Sequence, residues 1–185
     1  MQVFTEASHP LGNESASALE AAKSTQLWHQ SQQFIEEVGL LFEAEGLPRM
    51  AGRIFGWLLI SNPPYQSPGE LTEVLQASKG SISSMTRLLA QLGLIERISL
   101  PGKRRDYFQI KPNVWSELTQ RRLLQIRAFR NLAEKGLALL HDQDVESRQR
   151  LQDMHDMHAF WEEELPLLFE RWQKQRTTRP SYPSP

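Results

Sequence analysis

Residues 67–111 read SPGELTEVLQASKGSISSMTRLLAQLGLIERISLPGKRRDYFQIK, and chemical markers set their boundaries one after another. In Ser67-Pro68-Gly69-Glu70 the serine can cap a helix, the proline suits its first turn, and the glutamate three residues past the cap closes a capping box. Leu71, Val74 and Leu75 give that short helix one apolar face. Ser78 is placed to cap the next helix, where Ile82, Met85, Leu89 and Leu92 recur at spacings of three and four until Gly93 offers a left-handed stop. At about 100° per residue these apolar side chains share one side, and Gly80, Ser83, Ser84, Arg87 and Gln91 share the other.

That second side bears small groups, hydroxyls, one amide, one guanidinium and no carboxylate, which suits a surface pressed against DNA. Small residues at Ser78, Gly80 and Ser81, beside the cation Lys79, let the helix start lie close to the DNA; Arg87 can bond guanine in bidentate fashion and Gln91 adenine. An ordinary amphipathic surface helix has the same periodicity, and the next segment separates the two readings. Leu100-Pro101-Gly102-Lys103 has proline and glycine at the central positions of a type II turn, between a strand from Leu94 and a second one carrying Tyr107, Phe108 and Ile110. Lys103, Arg104 and Arg105 therefore sit at a hairpin tip beyond any core, with Arg97 on the outgoing strand. A solvated turn is the plain alternative. In the binding reading the tip follows the phosphates or enters the minor groove, whose negative potential attracts arginine. Helix, turn, helix and basic hairpin make a winged helix-turn-helix, a mainly α fold with a small β wing.

The stretch 67–111 also resembles the DNA-binding half of the multiple-antibiotic-resistance regulator (MarR) family. Gly46-Leu47-Pro48-Arg49-Met50-Ala51-Gly52-Arg53-Ile54-Phe55-Gly56-Trp57-Leu58-Leu59 resembles its GbsR-like branch. The likeness covers about Gln26 to Leu140. It implies a homodimeric transcriptional regulator, most simply a repressor, on a pseudo-palindromic operator of double-stranded DNA. Some GbsR-like relatives respond to choline, but no ligand motif matches residue by residue, so that ligand is not carried over.

A formal net charge of -1 hides an uneven distribution. Between Glu96 and Arg130 nine cations face three anions, whereas between His141 and Gln175 nine anions face four cations. A local basic surface serves phosphate contact, because charges beyond a Debye length of about 8–10 Å scarcely cancel it. The absence of cysteine excludes disulfides, thiolate metal ligands and cysteine-based oxidation sensing. No apolar run approaches the roughly 18 residues of a membrane span, and no secretory signal is legible at the start, so a cytoplasmic protein without membrane contact is expected.

Elsewhere helices are expected. Residues 1–23 have no sustained period beyond a short helix around Ala16 to Lys23 and read as a mobile tail; a first firm helix covers about Gln26 to Glu45, and Pro48 opens a second. Gly52 and Gly56 form a smooth groove for a closely crossing helix, or for a ligand lying in it. Tyr65 is expected to begin an edge strand. A helix from about Val114 to Leu140 is apolar on two sides, one with Trp115, Leu118, Phe129, Leu132 and Leu139, the other with Leu123, Ile126, Ala133, Leu137 and Leu140. A last helix, about Gln143 to Gln173, carries the heptad-like seam Leu151, Met154, His158, Trp161, Leu165, Leu168 and Trp172.

The expected organisation is thus a tail over 1–23, a winged-helix domain with flanking dimerisation helices over 24–140, a C-terminal dimerisation helix over 141–175 and a disordered tail over 176–185. Dimerisation is assigned to Leu123, Ile126, Leu137, Leu151, Met154, His158, Trp161, Leu165 and Leu168. Trp28, Phe42, Trp57, Trp115 and Phe129 are candidates for an effector cavity, with core packing as their plain alternative; cation-π contact would suit a quaternary ammonium. No cofactor is expected. The histidines and carboxylates from His141 to His158 lack a repeated metal-ligand spacing, so no metal site is assigned. No nucleophile elbow or phosphate-binding glycine loop supports an enzyme. The other class open to this scaffold is a protein-interaction module that docks a partner on its acidic helices; such a module has no need of a basic wing or a carboxylate-free helix face.

Overall fold

The computed structural model describes residues 11–140 and 145–178, which divide into two compact units, one up to Pro112 and one from Asn113. The first unit holds α1 (Leu11–Ala44), α2 (Arg49–Ile60), α3 (Pro68–Leu75), α4 (Lys79–Gln91) and an antiparallel hairpin of β1 (Ile95–Ser99) and β2 (Asp106–Ile110). The second holds α5 (Val114–Leu139) and α6 (Val145–Thr178). A mainly helical chain with one hairpin wing is the fold read from the sequence.

α1 is longer than expected. It starts at Leu11, where a tail through residue 23 was expected; the remainder of that tail, 1–10, lies outside the described residues. Ala16, Ala18, Ala21 and Ala22 explain the extension, because alanine sustains a helix through propensity without leaving an apolar stripe in the sequence. α6 likewise runs to Thr178, past the expected end at Gln173, and residues 179–185 of the expected C-terminal tail are outside the described part.

The core of the first unit forms where α2 meets its neighbours. Ile54, Leu71, Leu75, Ile82, Leu89 and Ile95 are almost completely enclosed. α1 crosses α2 at the two glycines: a Cβ on Gly52 would stand 2.6 Å from the Val38 carbonyl oxygen and 2.8 Å from the Gly39 Cα, and one on Gly56 would stand 3.1 Å from Val38 Cβ. The groove is thus filled by α1, the closer-packing alternative of the two read from the sequence. In the hairpin Ile95 pairs with Ile110 and Ser99 with Asp106. Gly102 has φ +73° and the Lys103 N–H donates to Leu100 O at 3.1 Å, the geometry of a type II turn. The expected edge strand at Tyr65 is reduced to a single bridge one residue later, between Gln66 and Phe108. It stops there because Pro63 and Pro64 carry no N–H to extend it and Ser67 already caps α3.

The second unit is an antiparallel helical hairpin. Near its turn Gly136 makes room for Leu151, whose Cδ1 would lie 2.9 Å from an added Cβ. Arg127 and Arg130 of α5 both grip Glu162 of α6, at 2.9 and 2.8 Å. His155 of α6 lies 2.9 Å from Asp156 and 3.4 Å from Glu134 of α5, and its pKa is raised, chiefly by the hydrogen bond to Asp156. Ile126 and Ala133 are buried, whereas Leu124, Leu132 and Leu139 are exposed.

Several residues of the expected dimerisation set also pack within the chain. Ile126 belongs to the hairpin's interior and Leu151 packs on Gly136. Leu123, Leu137, Met154 and Leu165 are half-buried, and the His158 ring lies 5.2 Å from that of Phe129. Trp161 and Leu168 stay exposed. A heptad seam needs a facing helix but does not say from which chain it comes, and here α5 of the same chain provides it.

Candidate nucleic-acid interface

The site begins at the capping box that starts α3. Ser67 Oγ accepts from the Glu70 N–H at 3.3 Å, and Glu70 Oε2 accepts from the Ser67 N–H at 2.6 Å. The backbone hydrogen bond to Ser67 holds the Glu70 carboxyl below the usual glutamate range; partial burial opposes the shift, and the Ser67 hydroxyl and the Arg105 charge add to it.

A lowered folded pKa stabilises the protein above the unfolded value and loses that contribution as pH falls through the folded one. The stability gap between the natural chain and Glu70→Gln is thus expected to be present at pH 7 and to close in acid below about pH 4.3. Ser67→Ala is expected to cost about 1 kcal/mol at neutral pH. Thermal melts across pH check both; a Glu70→Gln gap that stays constant into strong acid would show that the carboxylate charge contributes nothing.

From the box, α3 leads through Gln76, in the left-handed region at φ 49°, and Ala77 to Ser78, whose Oγ accepts from the Ser81 N–H at 3.2 Å and so caps α4. Ile82 and Leu89 anchor α4 in the core. Thr86 is also buried, with its hydroxyl donating to Ile82 O at 2.8 Å. That inward threonine was not read from the sequence, although a helical threonine can always satisfy itself on the carbonyl four residues back.

The opposite face is open. Ser78, Lys79, Gly80, Ser83, Ser84, Arg87 and Gln91 are all exposed, and α4 contains no acidic residue. Ser81 is half-buried and its N–H is engaged by the cap, so it is less open than Ser83 and Ser84. On the wing, Lys103, Arg104 and Arg105 are exposed and form no ion pair within 4.0 Å among the described residues. Arg97 differs: its guanidinium lies 3.4 Å from Asp106 across the hairpin. The register explains it, since Arg97 faces Phe108 and Asp106 is the diagonal neighbour on the same face. Both side chains are at least half exposed, so the pair is weak and a phosphate can compete for the arginine.

The aromatic candidates fall into separate places. Trp28 and Trp57 meet edge to face at 6.0 Å between α1 and α2, and Phe42 packs on Phe55 at 5.5 Å. In the second unit Phe129 lines a groove of about 440 Å³ with Arg122, Ile126, His158 and Trp161, and Trp115 lines one of about 300 Å³ with Leu168 and Trp172. Neither unit by itself gathers all five; Trp28, Trp57 and Phe42 make their ring contacts between α1 and α2.

With this geometry in hand, comparison with known proteins gives a consistent result. A family model for MarR family regulators matches residues 45–106, and one for MmpR5-like MarR family transcriptional regulators matches residues 113–175. The HTH-type transcriptional regulator MmpR5 of Mycobacterium tuberculosis (strain ATCC 25618 / H37Rv) is 40% identical over 130 residues, spanning 70% of this chain and 79% of that protein. A crystal structure of a transcriptional regulator is similar at 36% identity with a TM-score of 0.67, covering 78% of this chain and 99% of the other.

Proposed function

Because the chain belongs to the MarR family of winged-helix, DNA-binding transcriptional regulators, we propose that it acts as a homodimeric, effector-responsive repressor whose α4 reads the major groove while the wing contacts flanking DNA. The observation that carries the proposal is the pairing of an exposed, carboxylate-free α4 face with an exposed basic wing in the same compact unit. Ser78, Lys79 and Gly80 bring the helix start to the backbone, Ser83 and Ser84 lie on the groove side, and Arg87 and Gln91 supply base contacts. Lys103, Arg104, Arg105 and Arg97 supply the phosphate attraction.

The dimer is supported by apolar surface left uncovered in each chain. Leu124, Leu132 and Leu139, 63%, 58% and 82% exposed, recur at spacings of eight and seven along α5 and so share one stripe; this stripe, and separately the exposed Trp161 and Leu168 of α6, are proposed as interface surface. Two-fold symmetry then matches a pseudo-palindromic operator. Effector response is proposed from the aromatic groove of Phe129 and Trp161. A ligand that prefers one packing of the dimer helices would shift the spacing of the two α4 helices without touching DNA. The likeness of Gly46–Leu59 to the GbsR-like branch rests on that motif alone and brings no ligand with it. The proposed place of action is the cytoplasm; none of the described helices is long and apolar enough to cross a membrane.

Sedimentation at micromolar concentration tests the assembly. The expected mass is about twice that of the chain, and Leu132→Asp with Leu139→Asp is expected to shift it towards the monomer and weaken operator binding together. A folded monomer in the unsubstituted protein would overturn symmetric recognition.

A further inference from the structure

We propose that Arg53 is a positioning residue for DNA recognition: held by Glu36 of α1, its guanidinium fixes the C-terminal end of α3 and with it the pose of α4. The proposal rests on reading α4 as the DNA-reading helix.

The geometry is specific. Arg53 Nη2 donates to the Leu75 carbonyl at 3.2 Å, and its Nε lies 2.7 Å from Glu36 Oε1, an ion pair without the alignment of a hydrogen bond. The other oxygen of Glu36 accepts from Arg49 Nη2 at 2.8 Å, so one carboxylate of α1 is shared by two arginines of α2. Both arginine stems cross α1 at Gly39, where an added Cβ would stand 3.0 Å from Arg53 Cγ and 3.1 Å from Arg49 Cγ. A larger residue there would push the guanidinium groups off Glu36.

Leu75 is the last residue of α3, and its carbonyl is one of those a helix end leaves without a partner. The Thr72 and Glu73 carbonyls are served by the backbone, from the Ala77 and Gln76 N–H groups at 3.2 and 3.4 Å. The Leu75 carbonyl takes the arginine, which also places a cation at the negative end of the helix dipole. Only Gln76, Ala77 and Ser78 separate this anchor from α4. A rotation at the end of α3 is therefore passed almost directly to the start of the recognition helix.

Leu71 and Leu75 are almost completely enclosed in the core of the first unit, so α3 has apolar contacts that hold it in place beside the guanidinium. Its loss frees orientation more than it removes burial. The expected signature is a loss of discrimination with folding kept. In titrations of the full chain against an operator recovered from genomic DNA and against random DNA of equal length, Arg53→Met is expected to lower the ratio of specific to non-specific affinity roughly 2- to 30-fold. The salt slope is expected to stay unchanged, because no phosphate contact is removed. Glu36→Gln, on a half-buried position of α1, is expected to act in the same direction and more weakly, and it carries the test if Arg53→Met does not fold. Arg53→Lys keeps the charge without the fork that spans Glu36 and Leu75 O, and is expected to fall between them.

An undiminished ratio in folded Arg53→Met, or in Glu36→Gln if that variant has to stand in, overturns the proposal. So does a salt slope reduced by about one per subunit, which would place the guanidinium on a phosphate. An unsubstituted protein with no sequence preference would instead remove the reading of α4 on which the proposal stands.

Discussion

Replacing Arg87 by alanine is expected to weaken operator binding by about 1–3 kcal/mol per half-site and to relax the base preference at one position in each. Arg87 stands on the exposed face of α4 in the last two turns, and the buried Leu89 and Thr86 fix the helix from behind, so its loss leaves the fold intact. Arg104→Ala is expected to behave differently. A wing cation on phosphate serves every sequence alike, so specific and random DNA should both bind more weakly and the salt slope should fall by about one per half-site. If Arg104 instead enters the minor groove, the lost affinity is concentrated on narrow A·T tracts. Titrations at several salt concentrations separate the outcomes; unchanged operator affinity in both folded variants would mean that DNA binds elsewhere.

Gly52→Ala is expected to destabilise the first unit by about 3 kcal/mol, lowering the melting temperature by about 6–12 °C. The sign is diagnostic. In an unencumbered helix the same substitution stabilises by about 1 kcal/mol, because alanine is the better helix former. Here the new methyl meets the Val38 carbonyl and the Gly39 Cα, both backbone, and neither can rotate aside. Gly56→Ala is expected to cost less, since its first obstacle is the Val38 side chain. A neutral or stabilising Gly52→Ala in a thermal melt would show that α1 and α2 do not approach so closely.

These expectations differ in how far the sequence alone supports them. The cap of α3, the cap of α4 and the type II turn were legible because each is a local device, with the deciding residues at most three positions apart. The open face of α4 followed from periodicity alone. What the sequence did not yield depends on partners distant along the chain. Nothing near Arg53 announces that it reaches Leu75, 22 residues on, or that Gly39 on another helix clears its path. The seam through Leu151 and Met154 was legible as a seam, but its partner was not. The inward turn of Thr86 and the pairing of Arg97 with Asp106 are decided by depth and register, which composition does not encode.

The most direct measurement is a hydroxyl-radical footprint of the purified protein on its operator, run beside random DNA of equal length. The expected result is two protected segments about 34–36 Å apart on one face of the duplex, each flanked by a weaker wing protection, and none on random DNA at the same concentration. Protection of a single segment, or equal protection of both DNAs, would contradict a symmetric dimer that reads sequence through α4.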